Sequence, residues 1–364
     1  MPEALVQGIL VTIGAVLLTI VVSVAVLFLI WYERKLLGRM QMRLGPYHVG
    51  PHGLLQTLAD ALKLLLKEDV RPASADRLVF NLAPAIVFVP TFVVFVTIPF
   101  TRDLVLRNLN LGLLFFFSVS SVSVVGMLMA GWGSVNKYAL FGGLRSVAQL
   151  VSYELPMAFS ILAVAMLAGT LDLRELVERQ TVWYVFLQPI GFIIFLIAGM
   201  AETSRSPFDI PIAESEVVGG PLIEYSGFRW SIFFLTEYAH VFAIGLLTAI
   251  MYLDGWEGPV LPGFELPFHL FWMLLKTLAV VTFIFWARAA WPRLRVDQLM
   301  AFAWKVLLPL SFLNVLLTGF YEMYGWGALI VGLALSIGVL WLWYQARSRV
   351  RQPAPAPASV VARS

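Results

Sequence analysis

GILVTIGAVLLTIVVSVAVLFLIWY, residues 8–32, contains no charged side chain. A helix needs about 20 apolar residues to cross the hydrocarbon of a bilayer, so this run predicts a transmembrane span. No basic segment and small-residue cleavage site frame it, which separates it from a signal peptide. The same criterion selects eight further stretches: 79–100, 112–131, 138–168, 183–203, 229–253, 267–288, 297–318 and 324–345. The fourth is long for a perpendicular span, about 46 Å at the helical rise, and is expected to tilt or to begin outside the core. The eighth is interrupted by Lys305 and Pro309. The expected fold is therefore an all-α polytopic membrane protein of about nine spans, one helical domain over residues 1–350. A Pro/Ala-rich tail over 351–364 is expected to be flexible.

Composition agrees. Of 364 residues, 60% are hydrophobic and 13% are charged, with a mean hydropathy of +0.85, where a soluble domain carries about 25% charged residues. Cysteine is absent, which excludes thiolate-ligated iron–sulfur clusters and thiolate zinc sites within this chain. The four histidines, His48, His52, His240 and His269, fall at unmatched depths, so paired haem ligation is not expected. No His/Asp/Glu cluster has metal-ligand spacing. No basic run interleaved with aromatics suggests nucleic-acid binding.

Charge predicts orientation. Arg34, Lys35, Arg39, Arg43, Lys63, Lys67, Arg71 and Arg77 follow the first span, and the loops after spans three, five and seven and the tail are also basic. The other side holds Arg102, Arg107, Arg174 and Arg179. Loops rich in lysine and arginine stay on the cytoplasmic side, so the N-terminus is expected outside and the C-terminus in the cytoplasm. Within the first cytoplasmic loop, Gln56, Asp60, Lys63 and Lys67 recur at helical spacing opposite Leu54, Leu55, Leu58, Leu62, Leu65 and Leu66. That pattern predicts an amphipathic helix lying in the membrane interface.

Carboxylates mark where chemistry could lie. Between spans five and six, AETSRSPFDIPIAESEVVGGPLIEYSG (201–227) carries Glu202, Asp209, Glu214, Glu216 and Glu224, and its prolines and Gly219-Gly220 prevent a regular helix. Glu154, Glu237, Lys276 and Lys305 fall within spans, where an ionisable group costs about 2.5–3.5 kcal/mol on insertion scales. Structural ion pairs between helices are one explanation; a proton pathway leading from the acidic loop through Glu154 and Glu237 is the other. Arg34, Arg43, Asp60 and Lys63 sit where the polar head of an interfacial amphiphile would meet the protein, and a quinone is one such amphiphile. Arg288, Arg293 and Arg295 surround Pro292 as a membrane anchor or, with the other basic loops, as a platform for a soluble partner.

Four segments carry a family resemblance: WYERKLLGRMQMRLGPYHVGPHGLLQTLADALKLLLKED (31–69), GWGSVNKYALFGGLRSVAQLVSYELPM (131–157), AETSRSPFDIPIAESEVVGGPLIEYSGFRWSIFFLTEY (201–238) and WARAAWPRLRVDQLMAFAWKVLLP (286–309). In order and length they resemble the quinone-site membrane subunit of respiratory complex I. The resemblance implies a subunit of proton-translocating NADH:quinone oxidoreductase in a bacterial cytoplasmic membrane. It implies Arg34, Arg43, Asp60, Lys63, Arg288 and Arg293 at the quinone chamber. It also implies Glu154, Glu202, Asp209, Glu214, Glu216, Glu224 and Glu237 in proton coupling. No catalytic residue acts in this chain alone, and no cofactor is expected in it. Quinone is the substrate, while FMN and iron–sulfur clusters are expected in partner subunits. The partners implied are peripheral-arm quinone-site and iron–sulfur subunits, small membrane subunits, antiporter-like subunits and the lipid bilayer. The homologous anchor of an energy-converting hydrogenase and a stand-alone ion transporter are the alternatives. One departure stands out. The family's third signature usually reads F-D-x-x-E-x-E-x-E, whereas this chain has Ile212 at the first glutamate and Pro221-Leu222 at the usual aromatic–asparagine pair.

Overall fold

A computed structural model describes residues 3–261 and 263–325, with isolated positions at 334, 338, 341 and 345. It is all-helical, 73% helix, and the described residues contain no strand. The helices run α1 (Glu3–Met40), α2 (Gln56–Leu66), α3 (Arg77–Val93), α4 (Gly112–Ser120), α5 (Val122–Gly133), α6 (Lys137–Ala168), α7 (Leu173–Glu178), α8 (Tyr184–Leu187), α9 (Pro189–Glu202), α10 (Glu214–Val217), α11 (Gly227–Tyr252), α12 (Glu265–Ala290), α13 (Val296–Phe302) and α14 (Leu308–Tyr324). Seven stretches among the described residues are long and apolar enough to cross a membrane: 11–40, 77–96, 112–133, 137–168, 227–252, 265–290 and 296–324. The expected fifth span is shorter. It breaks at Gln188, whose φ of −131° and ψ of 61° separate α8 from α9, because Pro189 has no N–H to continue the ladder. The expected ninth span, the tail and the end of the expected domain lie outside the described residues.

α11 is the axis of the bundle. It packs against α1, α3, α9 and α12, and every residue from Tyr238 to Tyr252 is buried. Without a hydrophobic drive between helices in lipid, close backbone approach through small residues supplies the association. A methyl on Gly199 of α9 would meet Ile244 of α11 at 2.8 Å, and one on Gly245 would meet Val281 of α12 at 2.9 Å. The α3–α5 contact is built the same way: Cβ atoms at Gly126 and Gly133 would lie 2.9 Å from the backbone nitrogens of Val87 and Phe80.

Local signals set the ends. Asp76 caps α3 by accepting from the Leu78 and Val79 N–H groups, Asn136 caps α6 through Tyr138 N–H, and Asp172 caps α7 through Arg174 N–H. α6 stops at Gly169 in the left-handed region, φ 63°. α6 runs for 32 residues, and in its N-terminal part Gly142 packs on Gly220 of the loop before α11. α1 does not stop at Tyr32. Apart from Gly38, Glu33–Met40 are strong helix formers and carry the helix up to the turn before Gly45-Pro46. The helix α2 exposes Leu58, Leu62 and Leu65, while Thr57 is buried and Asp60 accepts from Arg34 of α1.

Candidate functional site

Two adjoining cavities open at the end of the bundle that carries α2. The outer one, about 900 Å³, lies between α1, α2 and α11 and is lined mainly by apolar residues such as Leu27, Ile30, Leu64 and Phe228, with Arg34, Asp60 and Lys63 at its edge. The inner one, about 820 Å³, runs under the loop 203–226 and takes in Glu33, Arg205, Asp209, Glu214, Glu237, Arg288 and Arg293. Both are lined by Arg34, Tyr225, Trp230 and Phe234. The lining thus passes from a mainly apolar cavity to a charged one across four shared side chains.

The mouth is fixed by an ion pair between helices. Arg34 of α1 donates to Asp60 of α2 at 2.6 Å, and Lys63 lies 3.5 Å from the same carboxylate. Partial burial would raise the Asp60 pKa, but hydrogen bonds from Arg34 and Gln56 and the two cations hold it below the usual carboxylate value.

The interior is a cluster of carboxylates matched by guanidinium groups. Glu33 is 1% exposed; it accepts from Arg205 at 3.4 Å and from Arg288. Arg205 also lies 3.1 Å from Glu237 and stacks over the Tyr238 ring at 4.1 Å. Arg293 donates to Asp209 at 2.9 Å and to Ser215 at 3.1 Å. Burial raises the Asp209 pKa, while Arg293, Arg288 and Arg205 oppose the rise. Ile212 lines the same cavity.

The loop that roofs this cavity is held by its backbone. Gln149 of α6 donates to the Ala201 and Phe208 carbonyls at 2.7 and 2.9 Å, and Leu294 N–H donates to the Pro207 carbonyl at 3.2 Å. Gly220 has φ 61°, and a Cβ there would stand 1.9 Å from the Pro211 carbonyl oxygen, so only glycine fits. At its far side Glu216 pairs with Arg145 at 2.6 Å and Glu224 accepts from Asn136 at 2.7 Å.

The residues singled out in the sequence thus fall into groups. Arg34, Asp60 and Lys63 line the mouth; Arg288, Arg293, Asp209, Glu214 and Glu237 line the interior. Glu216 and Glu224 pair with α6 and its cap. Deeper, Glu202 lies 3.6 Å from His240, and Glu154 accepts a hydrogen bond from Ser121. Arg43 joins neither cavity; it is exposed and donates to Gln41 at 2.7 Å. Lys276 is remote, at the opposite end, where it donates to the Asp254 and Glu257 carbonyls. Lys305 is exposed. Glu33 and Arg205, the centre of the cluster, do not stand out in the sequence, because both read as ordinary loop charges flanking apolar spans. The one signal for Glu33 is its position directly at the end of an unbroken apolar run, where the helix continues. Among the described residues no group of three metal-ligating side chains occurs.

Fold and site define a multi-pass helical membrane protein with an amphiphilic chamber at one end of its bundle. A family model described as NADH dehydrogenase matches residues 13–319, and the chain belongs to that family. It is 50% identical over 299 residues to the H subunit of NADH-quinone oxidoreductase from Dehalococcoides mccartyi strain CBDB1, covering 82% of this chain and 83% of the relative. It is 49% identical over 313 residues to the H subunit from Brevibacillus brevis, covering 86% and 93% of the two chains. The H subunit from Geobacillus kaustophilus is 50% identical over 308 residues, covering 84% and 92%.

Proposed function

We propose that this chain is the H-type membrane subunit of a proton-translocating NADH:quinone oxidoreductase, and that the two cavities are its quinone chamber. The observation that carries the proposal is the passage from apolar to charged lining across Arg34, Tyr225, Trp230 and Phe234. A quinone has an isoprenoid tail that partitions with apolar surface and a headgroup that gains charge when reduced. The outer cavity suits the tail and the inner cavity the head.

The inner cluster supplies the coupling. Glu33, Glu237 and Asp209 are matched by Arg205, Arg288 and Arg293. Negative charge arriving on a reduced headgroup competes for those guanidinium groups. A carboxylate that loses its cation in a low-dielectric site becomes a better proton acceptor, so reduction of the head is converted into proton uptake at Asp209 or Glu237. Glu202 with His240, and Glu154 with Ser121, are the next acceptors. Glu216 and Glu224 tie the loop to α6, so that a shift of Asp209 is transmitted to α6. Moving one charge against 100 mV costs about 2.3 kcal/mol, which the rearranged ion pairs must supply for each proton.

On this reading the α2 end faces the cytoplasm, the C-terminus lies on that side, and α2 rests in the interface on its exposed leucines. Nine spans cross a bacterial cytoplasmic membrane. Peripheral-arm quinone-site and iron–sulfur subunits dock over the basic loops, and FMN and the clusters reside in them. Small membrane subunits and antiporter-like subunits flank the bundle. Affinity purification of the chain from its native membrane tests the assignment. NADH:quinone reductase activity and iron–sulfur subunits should co-purify, and their absence from an intact preparation would contradict it.

A further inference from the structure

We propose that Lys305 is a docking point for a carboxylate carried on a transmembrane helix of a partner subunit. Between α13 and α14 the chain makes a π-helical turn over Ala303–Leu307. Such turns are rare inside α-helices and recur at functional positions. Here the turn buries Ala303, Val306 and Leu307 against the bundle and ties Trp304 to α6 through a 3.1 Å hydrogen bond from its Nε1 to Ser152 Oγ. Lys305 is left on the exposed surface. It has no hydrogen bond or ion pair with any other described residue.

Its surroundings are apolar. Trp304 and Phe312 are about half exposed and Leu316 more so, with Val151 and Leu155 exposed on α6. Lys305 lies about 13 Å along the helix from Val296 at the α-helical rise, too deep for its arm alone to return the ammonium group to the helix start. A lysine at such a depth is costly in lipid and is kept where a counter-charge faces it.

Among the described residues no carboxylate pairs with Lys305. Glu154 is engaged by Ser121, Glu202 faces His240, and Glu216 is paired with Arg145. The remaining segment, 326–364, contains neither aspartate nor glutamate. The partner is therefore a membrane helix of another subunit with an aspartate or glutamate at matching depth, packed on Trp304 and Phe312. The inference rests on the multisubunit reading given above.

Treating the intact purified complex with dicyclohexylcarbodiimide tests it. The reagent condenses a carboxylate with a neighbouring amine into an amide while taking up the water as its urea. Mass spectrometry should find the Lys305 peptide joined to a membrane-helix peptide of another subunit. That product should vanish in Lys305→Arg, a variant expected to assemble normally. Lys305→Glu should lower the yield of assembled complex several-fold, and changing the cross-linked partner carboxylate to lysine should restore it. The inference is overturned if assembled complex shows no such link and Lys305 instead reacts with a water-soluble amine reagent, because the ammonium group then lies among lipid headgroups. Purification of this chain free of partner subunits would remove the multisubunit reading and the inference together.

Discussion

Glu33 of α1 and Arg205, the residue that follows α9 by one turn, form an ion pair 3.4 Å apart with side chains 2% and 3% exposed. They are 172 positions apart in sequence. Removing Arg205 leaves Glu33 with Arg288 alone and takes the 3.1 Å partner from Glu237, and breaking a buried pair in this way costs about 3–5 kcal/mol. Arg205→Met should therefore destabilise the assembled protein by about that amount, visible as a lower thermal midpoint. Because Arg205 and Glu33 share one ion pair, Glu33→Gln combined with Arg205→Met should cost less than the sum of the two single variants. Strictly additive losses in the double variant would show that the two groups do not interact.

The mouth predicts a different kind of effect. Arg34 and Asp60 are partly exposed, and an exposed pair is worth about 0.2–1 kcal/mol. Asp60→Asn should leave the fold intact but loosen α2 from α1. Its kinetic signature should be a raised KM for a long-chain quinone with little change in kcat. An unchanged KM would mean that the α1–α2 mouth is not the entry route.

At the opposite end, half-burial pushes Asp254 up to about 6, against the pull of Lys276 and with a smaller push from Glu257. The folded state then binds more protons than the unfolded state between the ordinary aspartate pKa and about 6, so stability falls as pH rises through that window. Asp254→Asn removes the penalty. It should raise the thermal midpoint at pH 7 and leave it nearly unchanged at pH 4. An equal gain at both values would show that Asp254 is not held in its protonated form by the fold.

Tight glycine contacts hold the roof of the chamber on α6. A Cβ on Gly142 would approach Gly220 Cα to 2.4 Å, and overpacking of this kind costs about 1–3 kcal/mol. Gly142→Ala should displace the 203–226 loop, reducing quinone reductase activity more than it reduces assembled yield. Full activity in this variant would contradict a role for the loop in closing the chamber.

How much of this could be read from the chain varies with the range of the interaction. The apolar runs from 8–32 to 297–318 mark helices because burial of a spanning helix needs only local composition. Even the break at Gln188 has a local cause in Pro189. The amphipathic spacing of Gln56, Asp60 and Lys63 likewise places those side chains on one face of α2, and the structure sets Asp60 against Arg34. The pairing of Glu33 with Arg205 has no local signal. A charge just past an apolar run is most simply a loop charge, and only the continuation of α1 to Met40 brings Glu33 under the 203–226 loop. The fit of Gly142 against Gly220 is also a tertiary fact, invisible in either glycine alone. Arg43 shows the converse: its position beside Arg34 and Asp60 in sequence does not carry it into the chamber.

Ile212 lines the inner cavity within the loop that bears Asp209 and Glu214. If the loop carries protons away from the chamber, Ile212→Glu adds a carboxylate beside that route. The pH dependence of quinone reduction and the coupling ratio of proteoliposomes should both change while the KM for quinone stays constant. No change in either would place residue 212 off the route.

Whether the two cavities are one chamber entered by quinone is tested most directly by photoaffinity labelling of the intact complex with a long-chain azidoquinone. Adducts are expected on Lys63–Leu65 of α2 and Trp230–Phe234 of α11, suppressed by excess substrate quinone. Label confined to other segments, in complex that still turns over quinone, would contradict a shared chamber.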